Sequence, residues 1–413
     1  MTQQRQRRRP MSREEARALE ERKQRQRERE QESRELARGP IDLPFCVLVV
    51  LLSGIGLVML LSASFPSAYY ETDGKNPMFY FMRQGVFAAM GIAAMLLIGK
   101  INYQRFRALA QPLLFLSVIL LILVLIPHNP IAITRNNATR WLGIEGVFTF
   151  QPSEIAKLAV IVYFADSISK KREKMLQWRE GILPYAAILG VIAILMLLEP
   201  HLSGTILIVG TGAIMMAVGG IQGWLIGAGV GGVAAVAVLF VKLVEKGVIS
   251  YGASRITMWH DPWLDMSDSG YQMVQSLIAI GSGGLLGLGL GKGRQKFLYL
   301  PEEHNDFIFA VVCEELGLIG ACVIMLIFAL LLLRGFWIAL HARDRFGTLL
   351  VVGIMAHLGL QVFLNIAVVT GLVPATGISL PFFSYGGTAL ALQLVEMGIV
   401  LSVSRQIPAP RNG

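Results

Sequence analysis

Apolar runs close to the ~20 residues that cross ~30 Å of hydrocarbon recur along this 413-residue chain from Pro44 almost to its end. They fall at about 44–63, 84–99, 110–127, 153–168, 182–198, 204–220, 222–243, 307–333, 347–370 and 385–403. Composition agrees: 16% of residues are charged, against about 25% in a soluble domain. The expected fold class is all-α, a polytopic membrane protein of about ten transmembrane helices.

Loop charge gives the expected orientation. One set of loops carries Lys100, Arg105 and Arg107, then Lys170 to Arg179, then Arg334, Arg343 and Arg345. The alternate set holds Lys75, then Arg135 and Arg140, and no cation in 371–384. The positive-inside rule then places both termini in the cytoplasm and a long loop, about 244–306, between spans 7 and 8 on the extracytoplasmic side. Residues 1–40 hold 13 Lys/Arg against 8 Asp/Glu with almost no apolar content, so 1–43 is expected to be a disordered basic tail. The membrane domain is then 44–405, with 406–413 a short cytoplasmic end. Cys46, Cys313 and Cys322 lie in apolar runs and offer neither a disulfide framework nor metal-ligand spacing. The basic excess fits cytoplasmic flanks and an anionic bilayer surface, and nothing points to nucleic acid.

The long loop is expected to be functional rather than idle. Its Ser269–Ile280 stretch has apolar residues at helical spacing, which predicts a helix lying on or dipping into the membrane. Gly281 to Gly293 is too glycine-rich for a straight span: it is either a linker or a close backbone approach. Then comes Leu300-Pro301-Glu302-Glu303-His304-Asn305-Asp306-Phe307, just before the eighth run. Asp306 at that lip is either the N-cap of the outgoing helix or a general base at the membrane surface.

Ionisable groups inside spans cost roughly 2.5–3.5 kcal/mol each, so each needs a reason. Glu154 and Lys157, three apart after Gln151-Pro152-Ser153, share a helix face, as a self-satisfying pair or as groups that orient substrate. Glu199 ends the fifth run before Pro200 and His201, a broken-helix turn. Of the adjacent Glu314 and Glu315, at most one is expected near any chemistry. Gln361, Asn365 and Glu396 read as interhelical hydrogen-bonding groups. The uncharged loop 374–387 has the Gly/Pro punctuation of buried non-helical backbone that folds back to line a cavity. Arg140, Arg255 and the Lys292/Arg294/Lys296 cluster are outward cations, either a solvated face or a clamp for an anionic substrate.

Five stretches taken together resemble the SEDS family (shape, elongation, division and sporulation), which contains FtsW, RodA and SpoVE. They are Gln151-Pro152-Ser153-Glu154 with Lys157; Gly270-Tyr271-Gln272 with Gln275-Ser276; Leu300-Pro301-Glu302 with Asp306-Phe307-Ile308-Phe309; Glu314-Glu315-Leu316-Gly317; and Leu380-Pro381-Phe382 with Ser384-Tyr385-Gly386-Gly387. The match runs from about Asp42 to Arg405 and looks closer to FtsW and SpoVE than to RodA. Two departures stand out: Asn305 where the family often has Thr, and Pro200-His201-Leu202-Ser203-Gly204 where it often has Pro-Asp-Leu-Gly.

The resemblance implies a peptidoglycan glycosyltransferase in the bacterial cytoplasmic membrane, polymerising lipid II at the outer face beside a class B penicillin-binding protein and other divisome or elongasome proteins. The family's essential aspartate falls on Asp306, its Glu/Lys pair on Glu154 and Lys157, and its arginine on Arg140. Asp306 is then the expected base for the acceptor hydroxyl, with inversion at the sugar. Lys157, Arg140, Arg255 and Lys292 are expected to neutralise the pyrophosphate, while Gln151, Gln275, Glu302 and Ser384 support the site. No metal or other cofactor is expected to be built in, although Mg or Mn could assist at the pyrophosphate. Two other classes stand beside this one: a lipid II flippase, which favours charges at the membrane midplane, and a non-catalytic divisome scaffold, which would depend on the tail.

Overall fold

The computed structural model describes residues 39–127, 129–135, 138–144, 148–224, 259–265 and 270–407, with a few isolated positions besides. Most of the expected seventh span, Arg255, nearly all of the basic tail and the last six residues lie outside the described residues.

The chain is mainly helical. In order it forms α1 (Leu43–Glu71), α2 (Phe79–Ile98), α3 (Phe106–Leu125), β1 (Ala132–Arg135), β2 (Ala138–Ile144), β3 (Phe148–Phe150), α4 (Pro152–Lys171), α5 (Leu183–Leu198) and α6 (Leu202–Val218). There follow α7 (Tyr271–Gly283), α8 (Ile308–Leu340), α9 (Arg345–Val369) and α10 (Gly387–Ser404). Seven of these are long and apolar enough to cross a membrane: α1, α2, α3 counted from Tyr103, α5 counted with the helical turn before it from Trp178, α8, α9 and α10. The expected fourth and sixth spans are helices too, but α4 carries five charged residues and α6 is only 17 residues long. The first and eighth runs give longer helices than expected, ending at Glu71 and Leu340. In α7 the helix expected from Ser269–Ile280 is present.

Beside the expected helices the chain carries one small sheet. Residues 132–150 form a three-stranded antiparallel sheet in the order β1-β2-β3, with Ile133 opposite Trp141 and Gly143 opposite Thr149. Strands of three to seven residues in a loop rich in Thr, Arg and Asn carry too little alternation to stand out in the sequence.

Helices α9 and α10 form the centre, with 72% and 61% of their apolar windows buried against 22% for α2 and α3. Small residues bring helices close, as expected where packing rather than hydrophobicity holds spans together. A side chain on Gly91 of α2 would strike Leu394 of α10, and one on Gly398 would meet the backbone of Met95.

Polar ties mark one end of the bundle. Asp42 pairs with Arg334 at 2.7 Å, and Arg107 reaches both Asp166 and Asp344. Asp344 caps α9 through Gly347 and accepts from Tyr103 and Gln104. The loops with the most Lys and Arg therefore meet at this end. The opposite end carries the sheet, the α5–α6 turn and the approach to α8.

That approach is built around a break in α8. Gly317 has φ +68°, and a side chain there would collide with the backbone of Gly287. The glycine-rich segment lies against the gap, with Leu288 and Gly289 donating to the carbonyls of Glu314 and Glu315, and Leu318 and Ile319 donating back to Gly284 and Leu285. Close approach, rather than a linker, is the reason for the glycines.

Candidate functional site

Asp306 closes a run of turns, 300–307, whose main chain is held from several sides. Gln272 of α7 donates to the Pro301 carbonyl, Tyr385 N–H to His304, the Ser384 hydroxyl to Asn305 at 2.6 Å, and Asn365 of α9 to Asp306 itself at 2.8 Å. Glu303 accepts from Ser67 of α1, and the His304 ring lies against Tyr80. These donors satisfy carbonyls that the turns leave unpaired, so they fix where the chain enters α8.

The N-cap reading of Asp306 fails on geometry. The cap of α8 is Phe307, with no side-chain hydrogen bond, and Asn305 donates instead to Glu302 at 2.6 Å. The Asp306 carboxylate is half-buried and has no hydrogen-bond partner among the described residues. A Cβ on Gly377 would stand 3.2 Å from its Oδ2. Burial first, and then the negative Glu302, push its pKa up to about 6, while Arg140 and His304 pull the other way.

The sheet brings Arg140 to this end from β2. Its guanidinium donates to the carbonyls of Glu199 and Pro200, the turn between α5 and α6. Its charge acts on Asp306, Glu199 and His201 together. Glu199 has both carboxylate oxygens buried without a hydrogen bond among the described residues, and burial raises it to about 8 against the pull of Arg140. His201 is driven down to about 3, by burial and then by the charges of Arg140 and Lys157, so it is neutral. Beside this turn a cleft of about 410 Å³ opens between the end of α3, the β1–β2 hairpin and Glu199.

Glu154 and Lys157 do share one face of α4, paired at 2.7 Å with the lysine side chain only 5% exposed. Gln151 approaches His201, Nε2 to Nδ1 3.4 Å. The Ser384 hydroxyl also accepts from Leu380 N–H and so joins the re-entrant loop to Asn305.

Other expectations move. Gln275 is half-buried, and its neighbours Gln272 and Ser276 make the contacts, the latter to the Val369 carbonyl. Lys292 is exposed on the glycine-rich segment and makes no side-chain hydrogen bond or ion pair with the described residues. Of the expected cation cluster, Lys296 is buried and engaged, pairing with Glu315 at 2.7 Å. Glu314 and Glu315 both turn to that segment: Glu314 accepts from Arg294 and Gln295 N–H, and Glu315 from Gly291 and Gly293 N–H and from Ser62. Gln361 and Asn365 bond the loop before α10 rather than a neighbouring helix, through Ser379 and Ile378. Glu396 has no hydrogen bond to the described residues.

The loop 374–387 folds back as expected, with Ile378, Leu380, Phe382 and Phe383 buried. Gln84 of α2 holds it, donating to Ser384 O and accepting from Gly386 N–H, each at 3.1 Å. Gln84 was not singled out in the sequence; a fully buried amide in a span is the signal that marks it.

A bundle of helices, seven of them long and apolar enough to cross a membrane, with a carboxylate and an arginine gathered at one end, defines a polytopic membrane protein. The chain belongs to the FtsW/RodA/SpoVE family: the family model described as "Cell cycle protein" matches residues 43–408. Among curated relatives, it is 42% identical over 365 residues to "Stage V sporulation protein E" of Bacillus subtilis (strain 168), covering 88% of this chain and 97% of that one. It is also 42% identical over 369 residues to "Probable peptidoglycan glycosyltransferase FtsW" of Geobacter sulfurreducens, covering 89% and 95%. Among solved structures, a chain from "Structural coordination of polymerization and crosslinking by a peptidoglycan synthase complex" matches with TM-score 0.71 and 26% identity, covering 89% of this chain and 98% of that one. The Thermus thermophilus rod shape determining protein RodA matches with TM-score 0.64 and 27% identity over the same shares.

Proposed function

We propose that this protein is a peptidoglycan glycosyltransferase that joins lipid II units into glycan strands, with Asp306 as general base. One observation carries the reading: a half-buried carboxylate without a hydrogen bond to the described residues, held at a helix entrance that it does not cap. A carboxylate poised near pH 6 can accept a proton at neutral pH, an effect typically worth 10²–10⁴-fold. The names of the FtsW relatives support the reaction class.

The acceptor's sugar hydroxyl gives its proton to Asp306 as its oxygen bonds to C1 of the donor sugar. The bond from C1 to the lipid pyrophosphate breaks on the opposite face, which inverts that carbon. Arg140 is the cation assigned to the departing pyrophosphate, and Lys157, held by Glu154, adds positive charge from behind. Lys292 and Arg255 remain expected contributors from the long loop. Gln151, Gln275, Glu302 and Ser384 support the site, Glu302 by keeping Asp306 basic. No resident metal is assigned, and Mg or Mn would act with the pyrophosphate as it binds.

The site end is assigned to the extracytoplasmic face and the ends of the chain to the cytoplasm, because the lysine- and arginine-rich loops gather at the other end. The related chain in a complex that couples polymerization to crosslinking supports a crosslinking partner, assigned here as a class B penicillin-binding protein. The test is purified protein with that partner and labelled lipid II. Wild type is expected to make polymer and Asp306→Asn to make none while keeping its expression and a cooperative melting transition. Full polymerisation by Asp306→Asn would defeat the assignment, and movement of lipid II without polymer would favour a flippase.

A further inference from the structure

Against the re-entrant loop lies a small, partly open chamber, about 40 Å³. Its walls include Glu154 of α4, His357 and Gln361 of α9, and Gln393 and Glu396 of α10. Glu396 stands nine residues into α10 and His357 twelve from the end of α9, so these two walls lie roughly 13–18 Å from that end of the helices, while Glu154 lines the chamber from the first turn of α4. The depth of Glu396 and His357 is about halfway through ~30 Å of hydrocarbon.

The chamber is rich in acceptors and short of positive charge. Gln361 spends its amide nitrogen on Ser379, which leaves its Oε1 without a hydrogen bond to the described residues. Gln393 Oε1 takes the Phe382 N–H. Glu154 is balanced by Lys157, bonded to Glu154 Oε1 at 2.7 Å. Glu396 is only 6% exposed, faces the chamber, and has neither a hydrogen bond nor an ion pair among the described residues. The titratable groups that bear on it are Lys157 and Glu154 from α4, with His357 on the facing wall. Two carboxylates therefore share one lysine at membrane depth. An uncompensated carboxylate there is far costlier than one that has taken up a positive charge.

We propose that this chamber binds one exchangeable small cation at Glu396, either a proton or an alkali-metal ion, with the oxygens of Gln361 and Glu154 as further ligands. The site is separate from Asp306 and is built from side chains that the glycosyl-transfer reading does not use, Glu154 excepted. Its occupancy also governs Lys157. An occupied chamber leaves the lysine to Glu154, whereas an empty one draws it toward Glu396 and away from the outer site.

The test is thermal melting of the full-length protein in lipid nanodiscs, wild type beside Glu396→Gln. One arm exchanges choline chloride for sodium chloride at constant ionic strength and pH 8.5; the other varies pH from 5.5 to 9.5 in choline chloride alone. If the cation is sodium, the wild-type midpoint rises with sodium by about 2 °C or more. If it is a proton, the midpoint falls as pH rises, because the folded state loses a proton it had taken up. In either case Glu396→Gln, already neutral, loses the part of that response that Glu396 supplies: the sodium shift disappears, and the pH slope shrinks to what Asp306 and Glu199 contribute. Glu396→Met, which removes the acceptors and keeps the volume, provides the same comparison should the glutamine variant not fold. A sodium or pH response that survives unchanged in these variants would overturn the proposal, and so would a wild type that responds to neither.

Discussion

Asn365 donates from a single nitrogen to two carbonyls, that of Asp306 at 2.8 Å and that of Ile378 at 2.6 Å. The entrance of α8 and the re-entrant loop before α10 are thereby hung from one buried side chain of α9. Asn365→Ala releases both carbonyls without touching the carboxylate. Two hydrogen bonds at about 0.5–1.5 kcal/mol each give a loss of roughly 1–3 kcal/mol in stability. The rate should suffer more, because a misplacement of about 1 Å at a reacting group can cost 10²-fold. We expect kcat to fall at least tenfold with KM for lipid II nearly unchanged, measured on protein that still melts cooperatively.

The raised Asp306 predicts two pH effects of opposite sense. Catalysis needs the ionised form, so kcat/KM should fall as pH drops through about 6. Glu302→Gln keeps an acceptor for Asn305 while removing the repelling charge, and should move that acid limb to lower pH. Stability runs the other way. A carboxyl raised from 3.8 to about 6 holds its proton more tightly when folded. Its stabilising contribution is complete below the lower value and is lost as pH climbs through the upper one. Asp306→Asn, uncharged throughout, should therefore melt above wild type at pH 8, with the gap narrowing toward pH 4. Melting curves at several pH values check this.

Much of this architecture could be anticipated from local patterns. The Glu154–Lys157 pair follows from a spacing of three on a helix, and the folded-back loop from the Gly, Pro and Ser punctuation of 374–387. What could not be anticipated depends on partners distant in the chain. Glu314 and Glu315 hold backbone N–H groups some twenty residues earlier, and Gln84 holds a loop three hundred residues later. Asp306 was ambiguous for a different reason. An aspartate near a helix start fits a cap and a base equally well, and only the turn that leaves Phe307 at the cap separates them.

Gly377 makes a sharper test of the space around that carboxylate. Its φ of +71° is strained for any residue with a Cβ, by roughly 1–2 kcal/mol, and the new carbon would sit 3.2 Å from Asp306 Oδ2. Gly377→Ala should lower turnover on the order of tenfold or more. Gly371 has a similar φ of +76°, but there an added Cβ would meet only Met273 and Leu277, at 3.7 Å and beyond. Gly371→Ala should thus cost comparable stability and leave turnover nearly intact, which separates crowding from strain in one assay.

The buried Lys296–Glu315 pair staples the glycine-rich segment to the break in α8. Lys296→Met removes the cation and leaves a carboxylate held, among the described residues, by Ser62 and two backbone N–H groups. Breaking one side of such a pair costs about 3–5 kcal/mol. We expect a markedly lower melting temperature and faster proteolysis within 284–300. Lys292→Met, on the same segment but exposed, should melt like wild type.

His201 lies in the turn before α6 under the charges of Arg140 and Lys157, and these surroundings say what an exchange to aspartate should do. With Arg140 and Lys157 both acting on it, the imidazole stays neutral, whereas a carboxylate at the same place would be favoured by the same two charges. Arg140 donates to the Glu199 and Pro200 carbonyls at that turn. In His201→Asp the new carboxylate would compete for the guanidinium and reduce the charge offered to a pyrophosphate. A loss of ground-state attraction of this kind raises KM with little change in kcat. His201→Asn, which adds no charge, should keep KM close to wild type. Equal KM values for the aspartate and asparagine variants, in an assay where Arg140→Gln raises KM, would show that Arg140 holds its charge for the substrate whatever occupies position 201.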